Sequence, residues 1–419
     1  MEKDSHYYVI YFMCLTAGIA VEDAYEIAYS SQYVDDSKDG HKKVLINKKN
    51  SEKACFDPIR TSHNGFESIG VEVQEKIYYP FHFLPGLKGE SFEKKMITCS
   101  GEESVLFKSI IDEGLKNSNP FRFGIGLHVL ADTYSHANFS GLWAWSNDVS
   151  RVNYIPAKKG WFSNLFGKIF WNIKRCLFAA APPIGHSNAY TFPDIPYLNW
   201  KYFDYIGKLR SVSNNMKFIK GFLTLYKLFI KKYAERQKKS SRLESIFERE
   251  NEELRQRLWE GINFSGSLKK RCENWRDIIR NFVADFNQRL DDKIKNTKDR
   301  SKKDELERQK ISIPERHLLY NEKDWEKDVL KKKRKFFLFD SPERKLKVSL
   351  NEFKQSPFYR FHEAARGHRV FVLEKISEYY LGIPVTAAVK AKAAVPASDI
   401  MISSEIIKKT RQKNLLKEI

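Results

Sequence analysis

The chain has 419 residues, with 73 lysines and arginines against 53 acids, for a formal net charge of +20. That excess favours anionic partners, whether nucleic acid, phospholipid headgroups or acidic small molecules, and does not choose among them. Five cysteines, Cys14, Cys55, Cys99, Cys176 and Cys272, are scattered, odd in number and never at C-x-x-C spacing, which argues against a disulfide framework and a thiolate zinc site.

Length and texture predict an all-α protein: a helical metal-binding core over residues 1–205 and a charged helical region over 206–419, partly packed on it. The opening MEKDSHYYVIYFMCLTAGIAVEDAYEIA carries acids beside its early lysine and lacks a small-residue cleavage site, so it reads as structural helix rather than signal peptide. No run of about 18 uncharged apolar residues occurs, and no transmembrane segment is expected. A cytoplasmic protein, or one exported without a classical signal peptide, fits this reading.

In chain order, residues 5–34 show Tyr7, Tyr8, Tyr11, Phe12 and Leu15, then Ala24, Ile27, Ala28 and Tyr29, at helical spacing. The stretch ends in Tyr33-Val34-Asp35-Asp36 and a polar loop. Residues 54–91, rich in proline, glycine, histidine and aromatics, read as irregular, and a helix is expected over about 101–117. Residues 161–181, WFSNLFGKIFWNIKRCLFAAA, have an apolar face with Lys168, Lys174 and Arg175, which suits contact with an anionic membrane surface or packing on the core. Trp275, Ile278, Ile279, Phe282, Val283, Phe286 and Leu290 mark an amphipathic helix. Residues 291–312 are nearly all polar and read as a solvated helix or mobile linker. A last amphipathic helix is expected over 349–381.

The most informative segment is PFRFGIGLHVLADTYSHANF, residues 120–139. Asn119 followed by Pro120 is a helix start, and His128, Asp132 and His136 then recur every four residues. Each step of four advances roughly 40° around a helix, so the three side chains share one stripe. The neighbouring Leu127, Val129, Leu130 and Phe139 are apolar, so the stripe faces inward. Burying an unpaired ionisable group costs several kcal/mol, and neutral imidazoles beside a carboxylate form a ligand set that a zinc-like ion compensates.

Other candidates stand at element ends: His6 before the first helix, His82 among aromatics and prolines, His186 after a glycine, and Asp35, Asp36 and Asp194. Gathered onto one stripe, such residues assemble a multinuclear hydrolytic site. His41, His63 and His317 lie in polar contexts and read as solvated. His362 and His368 are six apart, on opposite helix faces, so they are not expected to share a metal.

The order SHYYVIYF, YVDD, PFHFLPG, HVLADTYSHANF and GHSNAYTFPD resembles the all-helical superfamily of zinc-dependent phospholipase C and single-strand-specific zinc nucleases, over about the first 200 residues. The resemblance implies that His82, His128 and Asp132, with Asp35 beside them, hold one zinc. His136, His186 and Asp194 would hold a second, and His6 with the other oxygen of Asp132 a third. It also implies that Asp35 stands near the attacking water, with Asp36 the other candidate for that role. The chain departs from the familiar pattern in having Met1 five residues before His6, where the family has an amino-terminal Trp at the third site. It has H-x3-D-x3-H and H-x7-D where the family has H-x3-D-x5-H and H-x3-[DE].

The expected function is therefore hydrolysis of a phosphoric ester, in a phospholipid or a nucleotide, with two or three zinc ions as cofactor. The alternative is a non-catalytic helical protein that binds metal and interacts with a partner or a membrane. A His-Asp-type phosphohydrolase is disfavoured because no adjacent His-Asp pair occurs, and neither a Gly-rich phosphate loop nor a G-x-S-x-G turn is present.

Overall fold

The Pro120–Ser135 helix begins where its sequence directs. Asn119 Oδ1 accepts the backbone N–H groups of Phe121 at 3.0 Å and Arg122 at 3.3 Å, and Pro120 takes the first helical position, where it has no hydrogen bond to lose. Every residue of this central helix is buried. A helix covered on all sides needs partners all round. In the computed structural model, which describes residues 1–38, 43–47, 53–63, 70–155, 183–237, 244–331 and 344–381, the Val21–Asp36 helix packs most extensively against it. The helices Val105–Asn117, Asn214–Leu225 and Pro357–Leu381 and the segment Gln74–His82 complete the sheath.

Gly124 sets the closest approach: a Cβ there would stand 2.2 Å from the Ile27 carbonyl oxygen. Removing that side chain lets the Val21–Asp36 helix lie directly on the central one. Asp35, on its last turn, thereby comes beside the His128–Asp132 stripe.

Two segments that carry predicted ligands are wound as π-helices, Asp4–Val9 and Gln74–His82. The second corrects the expectation of irregular chain over 54–91. Proline normally breaks a helix, yet Pro80 lies inside this one. It is held tertiarily: His368 Nε2–H donates to the Pro80 carbonyl at 2.9 Å, and Tyr79 and Phe81 are buried. The Phe83 N–H donates to the carbonyl of Tyr78, five residues back, at 2.7 Å, closing the wide turn beneath His82.

The described chain is predominantly helical, so the all-α expectation holds in its coarse form. It is corrected by two three-stranded sheets. In one, β1 (Val44–Asn47) lies between antiparallel β2 (Lys53–Phe56) and parallel β6 (Arg344–Lys345). In the other, β3 (Ser150–Tyr154), β4 (Asn199–Phe203) and β5 (Leu209–Ser213) run antiparallel in that order. Trp200 and Tyr202 of β4 point into a small apolar cluster with Phe83, Phe139 and Phe192. The division expected at residues 205 and 206 falls in the β4–β5 hairpin, and the main apolar core draws on residues from Met1 to Ile376.

The second half is tied to the first by specific polar contacts. Buried Arg271, on the Leu268–Asn296 helix, donates to Asp4 at 2.6 Å and also pairs with Glu2. The Tyr7 hydroxyl donates to the His317 carbonyl at 2.8 Å, and that of Tyr29 to the Asn321 carbonyl at 2.6 Å. His317 is buried and stacked on Tyr25 with centroids 4.0 Å apart, which corrects its reading as solvated. Within 291–312, the Leu268–Asn296 helix gives way to Arg300–Arg308, and Asn287 brackets Ile311 through both backbone polar groups at 2.8 and 2.9 Å. The 161–181 stretch, His41, Cys176 and the last twenty residues lie outside the described residues. Among those described, no helix is long and apolar enough to cross a membrane.

The close approach at Gly124 can be tested directly. Gly124→Ala should lower the unfolding free energy by roughly 1–3 kcal/mol or more, because the new methyl meets backbone rather than a yielding side chain. Gly126→Ala, whose Cβ would meet Phe229 and Ile110 at ordinary contact distances of 3.4–3.5 Å, should stay within about 1 kcal/mol of wild type in the same urea titration.

Candidate metal centre

Eight of the predicted site residues converge. His6 comes from the amino-terminal π-helix, Asp35 from the end of the Val21–Asp36 helix and His82 from the end of the second π-helix. His128, Asp132 and the C-capping His136 come from the central helix, and His186 and Asp194 from two short 3-10 turns. Their ligand atoms fall into three groups, His6-Asp35-His128, His82-His128-Asp132 and His136-His186-Asp194, each with its atoms within 4.8 Å of one another.

Asp132 is the hub. Its Oδ2 lies 3.3 Å from His128 Nε2, 3.5 Å from His82 Nδ1 and 3.7 Å from His136 Nδ1. Its Oδ1 lies 3.1 Å from His6 Nε2 and accepts from the Met1 ammonium at 2.6 Å. Asp35 Oδ1 closes the first two groups, 3.7 Å from His82 Nδ1 and 3.8 Å from His128 Nε2. Asp194 joins the third, with Oδ1 3.0 Å from His136 Nε2 and 3.2 Å from the Met1 ammonium, and Oδ2 3.2 Å from His186 Nε2.

The outer nitrogens decide whether this is a ligand set or a hydrogen-bonded core. His82 Nε2–H donates to the Thr61 carbonyl at 2.8 Å, His136 Nδ1–H to the His82 carbonyl at 2.8 Å and His186 Nδ1–H to the Tyr190 carbonyl at 2.7 Å. Each bond fixes the ring and turns the other nitrogen, His82 Nδ1, His136 Nε2 or His186 Nε2, toward the carboxylates, where it can ligate a cation once it gives up its proton. Gly185, at φ +55°, makes the turn into His186, where a Cβ would strike Phe83 at 2.6 Å. His6 and His128 stack with centroids 3.8 Å apart, and the Nδ1 of each is buried without a hydrogen-bond partner. Their Nε2 atoms are the ones that face the carboxylates, and five imidazoles converging on three carboxylates fit a cation site better than a satisfied core.

The electrostatics agree. Burial opposes ionisation of Asp132 and Asp194, but the surrounding imidazoles and the Met1 ammonium hold both carboxyls well below the ordinary range. Burial pushes Asp35 up, with His128 and His82 only partly offsetting it. Burial also keeps His6 and His186 below the usual histidine value and hence neutral, as metal ligation requires. For His82 burial acts downward too, but Asp132 and Asp35 outweigh it and raise the ring. The Met1 ammonium, although desolvated, is raised to about 11 by Asp132, Asp194 and Asp35. The group opens to solvent on one side, at Asp35, His186 and Asp194, whose side chains are 30, 19 and 14% exposed against 0% for His128.

Asp36 is not part of the cluster. Its Oδ2 accepts from the Tyr320 hydroxyl at 2.6 Å and from Gln32 Nε2 at 3.1 Å, so its carboxylate is spent on packing the 315–321 segment. The sequence reading also missed two cations. The Met1 ammonium bridges Asp132 and Asp194, and Lys217 Nζ donates to the Ser135 carbonyl at 3.4 Å. Burial lowers Lys217 to about 8, with Asp194 acting in the other direction. Nothing in the pattern around Lys217 distinguishes it from other lysines of an amphipathic helix. His362 and His368 belong to none of these groups among the described residues.

Residues 1–376 match a protein family of unknown function, DUF6765, and the chain belongs to that family. No curated protein and no solved structure matches it.

The two adjacent aspartates should separate cleanly. Asp36→Ala should cost about 1–3 kcal/mol of stability by stranding Tyr320 and leave zinc uptake unchanged, whereas Asp35→Ala should weaken zinc uptake about 10–100-fold and leave the urea midpoint nearly where it was. A pH series tests the third group. Asp194 is depressed in the fold, so its contribution to stability is complete above its ordinary 3.8 and is lost as pH falls through the folded value. In chelator, the stability gap between wild type and Asp194→Asn should therefore be widest above about pH 4 and close on acidification.

Proposed function

We propose that this DUF6765 member is a zinc-dependent hydrolase of phosphoric esters, in a phospholipid or a nucleotide, with a helical core of the zinc-dependent phospholipase C type. The observation that carries the reading is the convergence of His6, Asp35, His82, His128, Asp132, His136, His186 and Asp194, from segments far apart in the chain, into three groups, two of which share His128, with Asp132 also lying beside His6 and His136 of the other two. An imidazole-rich set with carboxylates favours zinc over magnesium. Two or three ions would find ligands here: one at His82, His128 and Asp132, one at His136, His186 and Asp194, and one where His6 meets the other oxygen of Asp132 beside Asp35.

Zinc bound in such a set supplies a water acidified to near neutrality and a Lewis acid for the phosphoryl oxygens. The chain's own residues do the rest. Asp35 is the most exposed carboxylate of the cluster, and burial raises its affinity for a proton. It is therefore placed to orient the attacking water and take its proton. Lys217, on the Asp194 side, offers a positive group to an anionic substrate. The backbone carbonyls of Thr61, His82 and Tyr190 keep the imidazoles from turning during the reaction.

Elemental analysis and a panel of soluble phosphodiesters test this together. Wild type dialysed against zinc should retain two or three equivalents and hydrolyse at least one ester. Asp132→Asn should lose at least one equivalent, with turnover reduced about a hundredfold or more. A protein that holds less than one equivalent and takes up none on dialysis would favour the non-catalytic alternative.

A further inference from the structure

The β4–β5 hairpin ends in a turn more ordered than its exposure requires. Asp204 organises it: Oδ1 accepts the N–H groups of Ile206 at 3.2 Å and Lys208 at 2.8 Å, while Oδ2 accepts Arg210 Nε at 2.7 Å. The Gly207 N–H donates to the Asp204 carbonyl at 2.8 Å, and Gly207 at φ +76° turns the chain back. All this fixed backbone presents apolar groups to water: Ile206 is 67% exposed, Leu209 51% and Tyr205 37%. Trp145, 50% exposed, packs its ring edge-on against Tyr205 with centroids 4.4 Å apart and widens the patch. A turn that spends a carboxylate and a glycine on holding Tyr205 and Ile206 outward is built for contact, since apolar residues grouped on a surface mark interaction sites.

Charge and side-chain type select the partner. Arg151, which lies over the Phe203 ring, and Lys208 are both exposed at this end of the sheet, where Asp204 is already engaged by Arg210. A second copy of the chain presenting the same patch would set these cations against each other. Tyr205 and Trp145 pack edge-on against each other with aliphatic Ile206 and Leu209 beside them, and do not form the row of open ring faces on which successive bases stack. Aromatics at the rim, an aliphatic residue at the apex and cations alongside are the composition of a segment that inserts shallowly among anionic phospholipid headgroups.

We infer that the β4–β5 hairpin tip, with Trp145, is a docking surface for an anionic phospholipid bilayer. The surface includes none of the proposed metal ligands and does not depend on the reaction proposed for them. Full-length protein should co-sediment with vesicles of phosphatidylcholine containing phosphatidylserine, more weakly with phosphatidylcholine alone, and less as salt rises. The Tyr205→Ser, Ile206→Ser double variant should bind the mixed vesicles roughly tenfold more weakly, with zinc content, thermal midpoint and hydrolysis of any soluble ester unchanged. Lys208→Glu should reduce binding chiefly at low salt. The inference is overturned if wild type ignores anionic vesicles, if the double variant binds as wild type does, or if wild type sediments as a dimer that the double variant dissolves.

Discussion

Withdrawing five imidazoles and three carboxylates from water in one place is the constraint on which the rest of this fold depends. Asp132 meets it by serving both sides: one oxygen faces His82, His128 and His136, and the other faces His6 and the Met1 ammonium. The central helix must therefore be buried along its whole length and approached closely from several directions, which accounts for Gly124 against Ile27. Backbone carbonyls then take up the outward nitrogens of His82, His136 and His186, so the remaining nitrogens have nowhere to turn except inward.

The charged second half belongs to the same construction. Arg271 neutralises buried Asp4 and pairs with Glu2, so the segment that carries His6 is anchored from residue 271. The hydroxyls of Tyr7, Tyr8 and Tyr29 end on carbonyls between His317 and Asn321, and Tyr320 returns the contact to Asp36. Two neighbouring aspartates on one helix are thus separated in purpose: Asp35 turns to the imidazoles and Asp36 to the tyrosine.

The central helix was legible from sequence because its cap, its proline and its four-residue spacing are local features that tertiary contacts do not override. The gathering of His6, His82, His186 and Asp194 was legible only through the resemblance, since no local rule relates residues so far apart. What escaped has tertiary causes. Pro80 reads as a break because its carbonyl partner, His368, lies 288 residues away. His317 reads as solvated because Tyr25, which covers it, belongs to another element. The β4–β5 hairpin reads as helix-rich texture because β4 alternates in burial over only five residues and β5, exposed along most of its length, does not alternate at all. Asp36 could be told from Asp35 only once Tyr320 was in place.

The wide turns at Asp4–Val9 and Gln74–His82 bear on how this sequence can change. A π turn holds one more residue than the α turn it replaces. Excising a single residue between Gln74 and His82 and restoring ordinary winding would leave the side chains beyond the cut facing nearly as they do, whereas excising one from the α-helical Pro120–Ser135 stretch would swing those beyond it by about 100° around the axis. The wide turn is thus the place near His82 where a change of length disturbs the cluster least. The four-residue spacing of His128, Asp132 and His136 on the central helix has no such slack, because every turn there is already of ordinary size.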